Sequence, residues 1–412
     1  MYKVITGNQA AAHGVMLCKP DVVCAYPITP QTSIAEQISE FCAKGLMHAK
    51  FVNVDCEITA LGYLIGASAG GVRVFVATSS QGLHLMHEQL HWAAGTRLPI
   101  VMVNVNRFAG APMRVACDQI DSLSQRDTGW IQFYCESNQE IIDTVIQAYK
   151  VSELVSLPSM VCLDGFYLSH LSENTEIPDQ KKVDGYLPPY RPTTKIPWGW
   201  DWSWKMYKMD NQLSPGQEGA YDRRNFIGNR YELHKLERKS VAVALAANEE
   251  FQSIFGRSHP LLEEYKCEDA DTVVVMSGSA AGTCRFVIDM LREKGCKVGL
   301  VKLKMFRPFP RELVRKVLTG RKKIAVIERD LSVGQCGIFY QEIKWALMPT
   351  KGFVSMYGFV SGLGGEDITV PLIEKAILFT LEKDPPEEEV IWLGLGEKAA
   401  GDEYDKKTIK IY

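Results

Sequence analysis

The chain has 412 residues, of which 46% are hydrophobic and 23% charged, with a formal net charge of −3. That is ample material for a core spread over two or three domains, and a near-neutral balance with no basic, aromatic-interleaved patch excludes nucleic acid and anionic membrane as expected partners. The N-terminal MYKVITGNQAAAHGVML is too polar for a signal peptide and no apolar run of about 18 residues is available to span a bilayer, so a cytoplasmic protein is expected.

Asp21 to Ile28 (DVVCAYPI) is a β-branched run that PITP then breaks. It predicts a strand whose carboxyl end opens into a loop, where open α/β sheets bind ligands. Thr29, held between two prolines, is either a turn residue or a hydroxyl suited to a carboxylate or ketone oxygen. Gln31 to Ala43 reads as an amphipathic helix. Phe51 to Val54 predicts a strand, and Asp55 a cap for a helix whose first turn carries Glu57. Gly62, Gly66 and Gly70 fall one turn apart on that helix, and glycine costs roughly 1 kcal/mol in a helix interior, so the stripe predicts a close backbone contact. Taken alone, Glu57 is a first-turn acid facing the positive end of the helix dipole.

Val72 to Ala77 is a further β-branched strand, followed by the polar Thr78-Ser79-Ser80-Gln81-Gly82. Neither a GxxxxGK[ST] loop nor a strand-linked GxGxxG is present, which speaks against a nucleotide cradle. Leu98 to Asn106 is almost continuously apolar, as a parallel strand covered on both faces should be, and it delivers Arg107 to its carboxyl end. There the guanidinium can grip a carboxylate bidentately or form a salt bridge to Asp118 or Asp121. Glu140 to Leu154 reads as a helix and Ser159 to Leu163 as a strand, completing a βα alternation that predicts a parallel, doubly wound sheet.

From Pro188 to Pro215 the texture changes, and Trp198, Trp200, Trp202 and Trp204 would share one side of an extended segment buried against a partner or the body of the chain. Tyr231 to Phe255 has helical spacing. A second alternation follows: a strand at Asp271 to Met276, a helix to Gly295, a strand at Lys297 to Leu303, a helix near Arg311 to Leu318 and a strand at Lys323 to Ile327. Val354 to Val360 reads as the last strand, with Lys383 to Val390 and the terminal DEYDKKTIKIY as a surface extension. The Gly278 to Gly282 turn suits tight strand-to-helix packing better than a phosphate. The 11 cysteines stand singly with no C-x-x-C, so neither an iron-sulfur cluster nor structural zinc is expected in this chain. The fold class is α/β with two parallel-sheet domains, divided as 1–185, a connecting segment 186–258, and 259–412.

YPITP (Tyr26 to Pro30), CEITALGYLIGASAGG around Glu57, TSSQGL from Thr78, VNVNR ending at Arg107 and RDTGWIQ from Arg126 occur in that order, followed by CLDGFYLSH, KMFRPFP and GFVSGLGG. Together they make the chain resemble, over most of its length, the alpha subunit of the pyruvate:ferredoxin oxidoreductase family, 2-oxoacid:acceptor oxidoreductases that use thiamine diphosphate. The resemblance implies a pyrimidine-type thiamine-diphosphate domain followed by a transketolase C-terminal-like domain. It places Glu57 as the catalytic acid on the aminopyrimidine ring, buried so that it shares a proton with the ring. Tyr26, Pro27 and Ser80 would join Glu57 on the cofactor, and Thr29 and Arg107 would hold the substrate.

No GDG segment of the kind that holds diphosphate through Mg²⁺ occurs, so a beta subunit is expected to supply the metal and diphosphate side. Iron-sulfur clusters would lie in other subunits only, with ferredoxin-like and gamma subunits as partners and coenzyme A as the usual acyl acceptor. Oxidative decarboxylation of a 2-oxo acid is the implied reaction, with pyruvate as the default substrate. FAGAPMRVACDQIDSLSQ replaces the HSD-like element frequent between Arg107 and Arg126, which keeps phenylglyoxylate, a branched-chain 2-oxo acid or oxalate open, with ferredoxin or NAD as final acceptor. A noncatalytic structural subunit of such a complex is the alternative class.

Overall fold

The computed structural model describes residues 1–192, 223–348, 354–384, 390–395 and 409–411. Its first half runs β1 (Tyr2–Thr6), α1 (Gly7–Cys18), β2 (Val22–Ala25), α2 (Thr32–Ala43), β3 (Lys50–Asn53), α3 (Glu57–Ala69), β4 (Val74–Thr78), α4 (Ser80–Leu85) and α5 (His87–Gly95). It continues through β5 (Val101–Asn106), α6 (Ile120–Leu123), β6 (Ile131–Tyr134), α7 (Asn138–Val155), β7 (Ser159–Asp164), β8 (Ser172–Glu176) and α8 (Gln180–Tyr186). After the long α9 (Arg223–Phe255) come β9 (Leu262–Tyr265), β10 (Thr272–Met276), α10 (Ala280–Glu293), β11 (Val298–Leu303), β12 (Met305–Arg307) and α11 (Arg311–Leu318). The chain closes with β13 (Lys323–Glu328), α12 (Ile338–Leu347), β14 (Ser355–Val360), α13 (Val370–Glu382), β15 (Ile391–Leu393) and β16 (Ile409–Ile411).

Two seven-stranded sheets result, in the orders β12-β6-β7-β5-β4-β2-β3 and β16-β15-β14-β13-β10-β11-β9. Pairing is parallel except at one edge of each, where β12 lies antiparallel on β6 and β9 antiparallel on β11. Strand β5 shows why a nearly continuous apolar run suits such a sheet. Its Val101, Val103 and Val105 enter one core while Met102 enters the core on the opposite face. That opposite core also takes Val273, Val275 and Val326 from the second sheet, so the two halves share it. β12 strengthens the join, because it leaves the second half to extend the first sheet.

An ionic cluster crosses the same boundary. Lys302 of β11 is within 2.9 Å of both Glu136 and Glu140, and Arg257 and His259 reach Asp143 of α7 at 2.8 and 2.9 Å. Burial alone would push the Glu140 carboxyl up, but Lys302, Lys304 and His259 outweigh it and bring it down to about 2.

Three expectations need amendment. The α3 cap position falls on Cys56, whose extended backbone precedes a helix starting at Glu57, while Asp55 stands one residue earlier, its carboxyl held below the usual range by Thr59 and the adjacent backbone. The terminal extension includes a strand: Ile409–Ile411 pairs in parallel with β15 and makes the sheet edge. Gly70 lies beyond the end of α3, a side chain at Gly66 would meet nothing within 4 Å, and one at Gly62 would meet only the Gln89 side chain at 3.0 Å, so among the described residues the glycine stripe packs against no other backbone. The Trp198 to Trp204 expectation lies outside the described residues.

Candidate active site

The carboxyl ends of β2, β3, β4 and β5 carry the expected site residues. This edge includes the point where the chain, having stepped outward from β2 to β3, returns to place β4 on the other side of β2. Such a reversal opens a crevice between loops that depart to opposite faces.

Glu57 opens α3 just beyond β3 and is only 5% exposed. No hydrogen bond between described residues ends on its carboxylate. It lies against α4, where a Cβ built on Gly82 would be 2.6 Å from Glu57 Oε1 and 2.6 Å from Thr78 Oγ1. Thr78, the last residue of β4, is fully buried, and its hydroxyl has no partner among the described residues.

Ser80 follows with φ 50°, a strained left-handed conformation for a residue with a side chain. Its backbone N–H donates to Asp121 Oδ2 at 2.9 Å, and its hydroxyl lies 2.6 Å from both the Phe108 carbonyl and Gln81 Oε1. These contacts fix the loop that carries Ser80.

Asp121 is the hub that sequence reasoning passed over as a candidate salt-bridge partner. It accepts from Ser80 N, Ser122 N, Arg107 N, Asn104 Nδ2 and Asn106 Nδ2 at 2.7–3.2 Å. Complete burial outweighs those donors and pushes its carboxyl up to about 6. The signal was present in β5: Asn104 and Asn106 continue the Met102 face, and two amides in register at the end of an apolar strand require a polar partner.

The Arg107 salt bridge does not form. Asp121 takes the main-chain N–H of Arg107, whereas guanidinium Nη1 donates to the Thr29 carbonyl at 2.9 Å. Nε is buried with no partner among the described residues, which leaves the Nε–Nη2 edge to match a carboxylate. Burial lowers this guanidinium's pKa and Asp121 opposes that. Thr29 is exposed, as is Pro27, while half-buried Tyr26 accepts from Gln31 Nε2 at 2.8 Å. Asn8 Nδ2 donates to Pro30 O at 2.7 Å, so the 26–30 loop is held by its main chain, with Pro30 buried and the side chains of Pro27 and Thr29 exposed.

Asp164, at the end of β7, accepts from the backbone and hydroxyl of Ser279 at 2.9 and 2.6 Å. A Cβ at Gly278 would stand 2.7 Å from the Asp164 carboxylate. The glycine turn thus serves packing, and an acid beside it would repel phosphate. A separate cavity of about 830 Å³, lined by Trp130, Glu237, Phe309 and Trp345 among others, contains none of the candidate site residues.

Two parallel-sheet units joined through a shared core, with a buried acid opening a helix at one sheet's carboxyl edge, define an α/β protein of the thiamine-enzyme type. The fold matches a solved chain of 2-oxoglutarate:ferredoxin oxidoreductase from Magnetococcus marinus with TM-score 0.66 and 21% identity, over 92% of this chain and 65% of that one. A split-gene transketolase matches with TM-score 0.51 and 13% identity, over 92% of this chain and 98% of that one. Residues 13–230 match the model of pyruvate flavodoxin/ferredoxin oxidoreductase, thiamine diphosphate-binding, and residues 270–373 match pyruvate:ferredoxin oxidoreductase core domain II.

The chain is 44% identical to pyruvate synthase subunit PorA of Methanothermobacter thermautotrophicus, over 96% of this chain and 99% of that protein. It is 45% identical to ketoisovalerate oxidoreductase subunit VorA of Pyrococcus horikoshii, over 92% of this chain and 94% of that protein. It belongs to the pyruvate flavodoxin/ferredoxin oxidoreductase family and is a subunit of a 2-oxoacid oxidoreductase.

Proposed function

We propose that this chain is the alpha subunit of a 2-oxoacid:ferredoxin oxidoreductase and forms the pyrimidine side of a thiamine diphosphate site, with Glu57 as the acid on the ring. The supporting observation is the Glu57 carboxylate itself, 5% exposed and accepting no hydrogen bond from any described residue. The Glu57 oxygens are not among the fully buried unpartnered atoms, so the carboxylate keeps an opening, and a ring nitrogen that shares a proton with it would supply the missing partner there. When bound, the cofactor supplies the carbon nucleophile that takes up the 2-oxo group and the electron sink that lets carbon dioxide leave. The chain's own residues orient and desolvate. Glu57 holds a proton at its carboxylate, the Nε–Nη2 edge of Arg107 receives the substrate carboxylate, and Thr29 and the 26–30 loop line the approach.

The site is half of a centre. Ile58, Tyr63, Leu85 and Trp92, exposed by 39–55%, lie on α3, α4 and α5, the same helices that carry Glu57 and the open Gly66 or pack against them. That apolar rim fits a beta subunit carrying Mg²⁺ and the diphosphate side, with iron-sulfur clusters in further ferredoxin-like and gamma subunits and coenzyme A as acyl acceptor. Pyruvate remains the default substrate. A branched-chain 2-oxo acid is the second reading, because identity to the ketoisovalerate relative equals that to the pyruvate relative within 1%. Thiamine diphosphate binding measured with and without the partner chains, then turnover over a panel of 2-oxo acids, tests the assignment. Tight binding by the lone chain, or no binding by the complex, would contradict it.

A further inference from the structure

Gly82 occupies the middle of α4, where alanine would form the better helix. Its φ is not among the positive values, so conformational freedom does not explain the glycine. What a side chain would meet does. An ideal Cβ there lies 2.6 Å from Glu57 Oε1, 2.7 Å from Glu57 Cγ and 2.6 Å from Thr78 Oγ1, closer than real Cβ contacts come. The Glu57 carboxylate and the Thr78 hydroxyl therefore converge on the space a side chain would fill, no farther apart than twice the 2.6 Å that separates each from that point. One is a buried acid with no donor, the other a buried hydroxyl with no acceptor, among the described residues.

We propose that Gly82 and Thr78 are positioning residues for Glu57: Gly82 leaves the notch that seats its carboxylate, and when the cofactor binds the unpartnered Thr78 hydroxyl donates to one carboxylate oxygen, a hydrogen bond not made in this structure, so that the other is presented to the cofactor ring. β4 fixes Thr78 and the Asp121 network fixes the start of α4, so both walls of the notch are anchored independently of Glu57. The inference rests on the assignment of Glu57 to the cofactor.

The test uses the assembled complex carrying Gly82→Ala, Thr78→Val or Thr78→Ser. Gly185→Ala serves as control, because a Cβ there meets nothing within 4 Å. Calorimetry reads thiamine diphosphate affinity, and steady-state kinetics read kcat, KM and the pH profile. Gly82→Ala should weaken cofactor binding or lower kcat at least tenfold, with KM for the 2-oxo acid within twofold of wild type. Thr78→Val should lower kcat at least fivefold and move the acid limb of the kcat profile, and Thr78→Ser should restore both. Gly185→Ala should match wild type.

Cofactor affinity and turnover within twofold of wild type in Gly82→Ala would overturn the notch. A Thr78→Ser variant no better than Thr78→Val, or a Thr78→Val variant like wild type, would overturn the hydroxyl's role. Should Gly82→Ala fail to assemble, the shorter acid of Glu57→Asp in the same chain should relieve the clash and recover assembly, and no recovery counts against the proposal. Glu57→Gln run alongside separates the two levels. If it is inactive while the Gly82 and Thr78 variants are normal, only this inference fails, whereas wild-type turnover in Glu57→Gln removes the assignment beneath it.

Discussion

Arg107→Lys is the most informative single substitution on the substrate side. Arg107 is 4% exposed, and one arm of its guanidinium is already committed through Nη1 to the Thr29 carbonyl at 2.9 Å. Only a planar fork can hold that carbonyl and still offer a second, parallel pair of N–H groups to a carboxylate. A lysine ammonium placed to replace the Thr29 contact can give the substrate at best one donor, and placed for the substrate it leaves the Thr29 carbonyl unmet. Either way about one charge-assisted hydrogen bond is lost, roughly 1.5–3 kcal/mol, so kcat/KM for the 2-oxo acid should fall about tenfold to somewhat more than a hundredfold. Steady-state kinetics of the assembled complex measure this. The loss falls on KM if the contact is equally strong in the ground state, and on kcat if it tightens as carbon dioxide leaves. Cofactor affinity should not change. A lysine variant with wild-type kcat/KM, or with its defect confined to cofactor binding, would refute the assignment.

Other perturbations follow from the polar networks. Asp121→Asn turns an amide N–H₂ toward at least two of the five N–H donors, so it should destabilise the fold by on the order of 3 kcal/mol and reduce turnover, read by denaturant unfolding and kinetics. Lys302→Met removes the close cation from buried Glu140 at the junction of the two halves, while Glu136 keeps Arg285, and should cost about 3–5 kcal/mol in the same unfolding assay. Because Glu140 sits at about 2 in the folded chain, its contribution is present above the ordinary carboxylate range and lost as pH falls. Stability should drop by roughly 3 kcal/mol from this group between about pH 4.5 and pH 2, and much less in Glu140→Gln. The isolated subunit purified anaerobically should show no visible iron-sulfur absorption, whereas the complex should.

The fold was legible where periodicity is strong. β5, β7, β10 and β13 announce themselves as apolar runs because both sheet faces are covered, and the helices between them by their spacing. Of the edge strands, β3 was legible, but β9, β12 and β16 were not. β12 is three residues long and takes its place from β6 in the other half of the chain, and β16 lies in a polar tail, so neither carries a pattern of its own. In the site, Glu57 and Arg107 could be picked out because each is a charged residue at a strand's carboxyl end. Asp121 was less visible as a hub because its partners are scattered over α4, β5 and α6, and distance along the chain hides what the sheet brings together. The contacts of Ser80 were hidden for the same reason. Its contact to Phe108 O exists only once β4 and β5 lie side by side.

The central claim is that Glu57 holds the proton that an aminopyrimidine ring must share. Glu57→Gln keeps the shape of the side chain and removes the acid, so turnover of the assembled complex, measured beside its thiamine diphosphate content and unfolding curve, tests that claim most directly. The account predicts that turnover falls by orders of magnitude while assembly and unfolding stay close to wild type. Wild-type turnover in a complex confirmed to carry the substitution would contradict it.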